Sequence, residues 1–129
     1  NHRLDLMADV LRDALEEFID LVGEYSPIDN AGEQETYLTF LLTNGSTMIA
    51  HQGGKHLHYS TYKNHCKDRD ICPSFSKECE APTKSGFVNH LIFSSEPLLG
   101  DNIWHPMKLG QMIGVDDSMR LKIFSRENH

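Results

Sequence analysis

Apolar residues recur at three- and four-residue steps near the start of the chain: Met7, Leu11, Ala14, Phe18 and Leu21, widened by Val10, Leu15 and Val22. That spacing predicts an amphipathic helix over residues 4–22, packed on one side against a sheet. Asp9, Arg12, Asp13, Glu16, Glu17 and Asp20 fill most of its other face, and Gly23 supplies a stop signal. Residues 26–35 hold Pro27, Asp29, Asn30 and Gly32 and read as a linker.

The period then changes from 3.6 to two. Residues 37–43 and 46–51 are rich in β-formers and flank Asn44-Gly45. An Asn-Gly pair in that position predicts a two-residue hairpin turn with positive φ at both residues. Leu41 makes the first of these strands apolar on both faces, the pattern of a strand covered on both sides. Over residues 56–62, Leu57, Tyr59 and Thr61 alternate with His56, His58, Ser60 and Tyr62. Residues 63–86 form a long polar loop carrying Cys66, Cys72 and Cys79; a loop of that length is usually functional, mobile or an insertion. Val88, Leu91, Ile92 and Phe93 predict a short buried strand over 87–94. A second hairpin is expected over 110–115 and 119–124, with Asp116-Asp117-Ser118 at its tip. One long N-terminal helix followed by about six strands gives an α+β layer architecture with a mostly antiparallel sheet. The 129 residues suit a single domain or domain fragment.

Charge and composition narrow the partners. A net charge of −7 repels phosphate backbones, so no nucleic acid is expected. Lys63, Lys67 and Arg69 form the one local basic cluster, and Asp68 and Asp70 interrupt it. No apolar run approaches the roughly 20 residues a membrane span needs. An odd count of three cysteines, without a signal segment, points to reduced thiols and a cytoplasmic protein. The chain opens on Asn1 rather than Met, which reads either as a trimmed chain or as the visible part of a longer protein.

Eight histidines invite a metal reading, densest over His51, His56, His58, His65, Cys66, Cys72 and Cys79. Zinc sites favour close Cys-x-x-Cys or His-x-x-x-His pairs, and these cysteines are separated by five and six intervening residues. No metal and no cofactor is therefore expected. Cys66 beside His65 is the nearest Cys–His pair, but adjacent loop residues rarely face each other productively. There is no Gly-x-Ser-x-Gly elbow, and Gly53-Gly54-Lys55 lacks the spacing of a phosphate loop. Ser95 and Glu96, at a strand exit before Pro97, are the candidate substrate-binding residues.

Several stretches together resemble one family. Residues 37–45 are similar to the Asn-Phe-Leu-Leu-(Ser/Thr)-Asp-Gly hairpin of compact class II glutamine amidotransferases, with Asn44 in place of the Asp. Ile49-Ala50-His51 and Lys55-His56-Leu57-His58-Tyr59 resemble that family's Ala-His and Lys-Leu-His-Tyr segments. Phe93-Ser94-Ser95-Glu96-Pro97-Leu98, with Trp104 downstream, resembles its Ala-(Ser/Thr)-Glu-Pro-Leu and Trp pattern. Residues 109–115 are similar to its Pro-Gly-Glu-Leu-Leu-Val strand. The pieces keep their order over residues 7–124. The resemblance implies part of a four-layer αββα sandwich of the N-terminal-nucleophile hydrolase type. It also implies a parent enzyme that hydrolyses glutamine to glutamate and ammonia through an N-terminal Cys thioester.

The departure is as specific as the resemblance. The family's nucleophilic Cys, its Arg-containing segment and its Asn-Gly oxyanion pair lie early in the domain, and Asn44-Gly45 is a hairpin tip rather than that pair. No catalytic residue carries over, so the chain corresponds to the C-terminal half of the domain and is expected to be inactive alone. Its expected partner is the missing half of the domain or a second copy in a homodimer, either of which would cover apolar surface. The rival reading is a non-catalytic metal- or partner-binding module built on the His-rich strand and the Cys-containing loop.

Overall fold

The computed structural model describes residues 2–22 and 38–125. The expected linker, the start of the first strand at Tyr37 and the helix stop at Gly23 lie outside the described residues. Within them the chain is an α+β fold: one helix, α1 (His2–Val22), and two antiparallel sheets. The strands are β1 (Phe40–Thr43), β2 (Met48–His51), β3 (His58–Ser60), β4 (Ile92–Ser94), β5 (His105–Pro106), β6 (Met112–Val115) and β7 (Leu121–Phe124). The first sheet runs β1-β2-β6-β7 and the second β4-β3-β5.

Register explains the packing, because residues paired across antiparallel strands share a face. Ile49 pairs with Gly114, and His51 with Met112, on the face that receives α1. There Leu4, Ala8, Ile49 and Met112 are buried together, with Met7, Leu11 and Phe124 packed around them. Gly114 lets the helix approach: a Cβ there would lie 2.9 Å from Leu4 Cδ1 and 2.5 Å from the Met48 carbonyl oxygen. Lys122 of β7 donates to both carboxylate oxygens of Asp5, at 2.7 and 2.8 Å, pinning the start of α1 to the sheet edge. The helix therefore docks along Leu4, Ala8 and Leu11. Ala14 and Val10, placed in the stripe by periodicity, are exposed.

The opposite face carries Ala50 and Ile113, which are paired with each other and buried with Leu57 and Met107. Tyr59 and Phe93, partners across β3 and β4, pack against this cluster from the second sheet. This cover is narrow. One cross-strand row runs Leu41, Ala50, Ile113, Ile123. Its two central residues are 0% exposed, whereas Leu41 is 52% and Ile123 47% exposed. Leu42, on the helix side of β1, is exposed as well. The expectation that the first strand is covered on both sides is thus corrected: α1 and the second sheet reach the central strands but not β1.

Three further expectations change. The first hairpin is not a two-residue turn. Thr43 pairs with Met48, leaving 44–47 as the loop, and only Gly45 has a positive φ, at 94°. The Asn44 side chain takes over the turn, with Oδ1 accepting from the N–H groups of Ser46 (3.0 Å) and Thr47 (2.9 Å). Second, residues 87–91 are not strand. Phe87 bridges Arg120 and the Val88 N–H donates to Met119 O, so this apolar stretch packs against the β6–β7 turn. Third, β5 was not expected. Its Pro106 lacks an N–H, which an edge strand tolerates.

Candidate functional site

Ser95 and Glu96 do lie together where β4 ends. The Ser94 hydroxyl donates to Glu96 O at 2.7 Å, closing a tight turn that ends the strand before Pro97. Ser95, Glu96, Pro97, Leu98 and Leu99 are all exposed. The turn presents the two candidate side chains to solvent rather than into a cleft.

The His-rich strand divides between the two sheets. His51 is buried, its Nδ1 2.6 Å from Leu38 O and its ring 5.4 Å from that of Phe40. His56 and His58 have ring centroids 6.2 Å apart. In the 63–86 loop, Glu80 acts as a clasp: its carboxylate accepts from the Cys66 N–H at 2.7 Å, pairs with Arg69 at 3.4 Å and faces His65 Nδ1 at 3.8 Å. His65 thus turns to Glu80 rather than to the neighbouring thiol. Cys79 accepts a hydrogen bond from Asn89 Nδ2 at 3.1 Å, and all three cysteines are free thiols. Among the described residues no three His, Cys, Asp or Glu side chains come together to hold a metal.

The least satisfied polar groups lie on the second sheet, and sequence reading did not single them out together. Beyond β3 the pairing with the β5 arm continues: Ile103 N–H donates to Tyr62 O, and Lys63 bridges Asn102. Tyr59 pairs with His105, their rings 5.3 Å apart, on the face turned toward the first sheet. Burial, helped by Tyr62, raises the Tyr59 pKa and keeps the phenol protonated. His58 is the partner of Pro106, and between the Tyr59–His105 and Lys63–Asn102 pairs the register shifts by one residue, a bulge in this arm. His90, in the stretch just before β4, lies near Lys63 and Asn102. Buried atoms His58 Nδ1, His90 Nε2, Asn102 Oδ1 and Trp104 Nε1 have no hydrogen-bond partner. The Asn102 side chain faces His90 and favours its protonated form. Burial first and Lys63 second outweigh that effect and lower the His90 pKa, so the imidazole is neutral at pH 7. One signal in the sequence was available, the single Trp104 between Ile103 and His105, but nothing in its spacing linked it to His90.

No protein-family model, curated protein or solved structure matches the chain. Among the described residues no helix is long and apolar enough to cross a membrane.

Proposed function

We propose that this chain is the second half of a class II glutamine amidotransferase-like domain, inactive by itself. Its parent would hydrolyse glutamine to glutamate and ammonia through an N-terminal Cys thioester, with no metal or cofactor. The observation that carries this reading is the row Leu41–Ala50–Ile113–Ile123, buried at its centre and open at both ends. A sheet wider than its cover is what half of an αββα sandwich presents, since the remaining strands of the second sheet would lie over β1 and β7. In this reading the helix on the opposite face would be the outer α layer, and the two sheets the central ββ pair. Ser95 and Glu96, at an open strand exit, would form one side of the glutamine pocket, with the nucleophile and its oxyanion donors on the half that precedes it.

The test is ammonia release from glutamine. The 129 residues alone are expected to give none above background. The native protein is expected to release ammonia and to lose that activity on thiol alkylation. Activity from the 129 residues, or native activity indifferent to alkylation, contradicts the proposal.

A further inference from the structure

We propose that Asn44 is a self-modifying residue, converted to aspartate and isoaspartate by attack of the Gly45 backbone nitrogen on its side-chain carbonyl carbon. Asparagine is among the chemically labile side chains, and Asn44 is the one asparagine in the sequence followed by glycine. The others precede histidine, isoleucine or alanine, whose side chains crowd the attacking nitrogen. At Gly45 even an added Cβ would meet nothing within 4 Å. Residues 44–46 are exposed, so water reaches the hairpin tip.

The turn also favours the reaction electrostatically. As the Gly45 nitrogen adds to Asn44 Cγ, negative charge develops on Oδ1. Three donors already point at that oxygen: the Ser46 N–H at 3.0 Å, the Thr47 N–H at 2.9 Å and the Ser46 hydroxyl at 3.2 Å. Donors fixed in advance where charge appears lower the barrier to addition. The Gly45 N–H donates to Thr43 Oγ1 at 3.1 Å, so the proton to be lost is already directed at an oxygen. The N–Cγ bond forms while the Gly45 proton passes to hydroxide. The Cγ–Nδ2 bond then breaks, and the departing nitrogen takes a proton from water and leaves as ammonia. Water opens the resulting five-membered imide at either carbonyl. One route gives aspartate. The other gives isoaspartate, whose main chain runs through the former side chain and is one carbon longer. That longer link falls inside the 44–47 loop that closes the Thr43–Met48 pair. The proposal does not rest on the amidotransferase reading. Its ammonia is at most one per chain and needs no glutamine, so either idea can fail alone.

The experiment incubates the 129-residue chain in mildly alkaline buffer, folded and, in parallel, unfolded in urea. The peptide containing residue 44 is followed by mass spectrometry, with aspartate and isoaspartate forms separated by chromatography. The acid forms are expected to accumulate at residue 44 ahead of the other asparagines, and faster in the folded chain than in the unfolded one. Ser46→Ala, at an exposed position, removes the hydroxyl donor. It should slow conversion in the folded chain about fivefold, the effect of one hydrogen bond, and leave the unfolded chain unchanged. Slower conversion in the folded chain than in urea, or a Ser46→Ala effect that is absent or equal in both states, overturns the proposal.

Discussion

Gly114→Ala places a methyl group where α1 meets the sheet, and its cost follows from three distances. The new Cβ would lie 2.5 Å from Met48 O, 2.9 Å from Leu4 Cδ1 and 3.3 Å from Ile49 Cα. Ordinary contact begins at 3.4 Å, so the shortfall against the carbonyl is 0.9 Å (3.4 − 2.5). Leu4 can swing its methyl away, but Met48 O belongs to a strand held on both sides by β1 and β6. The strain therefore falls on the β2–β6 ladder, and overpacking of this kind costs about 1–3 kcal/mol. With a urea m-value of about 1–3 kcal/mol/M, a loss near 2 kcal/mol lowers the midpoint by roughly 1 M. In a Leu4→Val background the penalty should shrink by only about 0.5–1 kcal/mol, because the carbonyl remains. An unchanged midpoint, or a penalty that vanishes with Leu4→Val, would refute the close approach of backbone and helix.

Three further outcomes follow from the packing and charges. Lys122→Met should cost less than about 1 kcal/mol, since the Asp5 pair is partly exposed and screened. The Asp5 hydrogen bond raises the Lys122 pKa against a smaller opposing effect of burial. The advantage of the native lysine is thus full below pH 10.5 and lost as pH rises through the folded value, which paired thermal melts at pH 7 and above pH 11 would reveal. At Asp116, burial pushes the carboxyl up, but hydrogen bonds and nearby positive charge, the N–H groups of Arg120 and Ser118 among them, together outweigh it and the net pKa is lowered. Asp116→Asn should therefore cost about 1 kcal/mol at neutral pH, with the difference from wild type shrinking as pH falls below 3.8 through the folded value; a pH-independent difference in urea midpoint would count against it. Leu41→Lys and Ile123→Lys should each change stability by less than about 0.5 kcal/mol, as surface substitutions do, and reduce self-association in sedimentation velocity; a loss above about 2 kcal/mol would mean the row is covered.

How much of this was legible in the sequence depended on whether local pattern or tertiary contact decided each element. The helix was legible because its period is long and sustained, but its buried line was misplaced by about one residue. Ala8, too small to stand out in a hydrophobic pattern, is fully buried where Gly114 opens the sheet. The Asn44-Gly45 turn was visible as a turn; its type was not, because the Asn44 side chain replaces a backbone geometry that the pair alone would favour. Phe87 and Val88 look like strand residues, yet their apolar surface serves the β6–β7 turn. The strand exit at Ser95 and Glu96 was readable from Pro97. The nearness of His90 to Lys63 and Asn102 was not, since positions so far apart in the sequence meet only in the folded chain.

The central claim, that the chain is half of an amidotransferase-like domain, meets its most direct test in the N-terminal residue and intact mass of the native protein. The account predicts a chain longer than these 129 residues whose mature first residue is cysteine. A native protein whose mature chain does not begin with cysteine would contradict it.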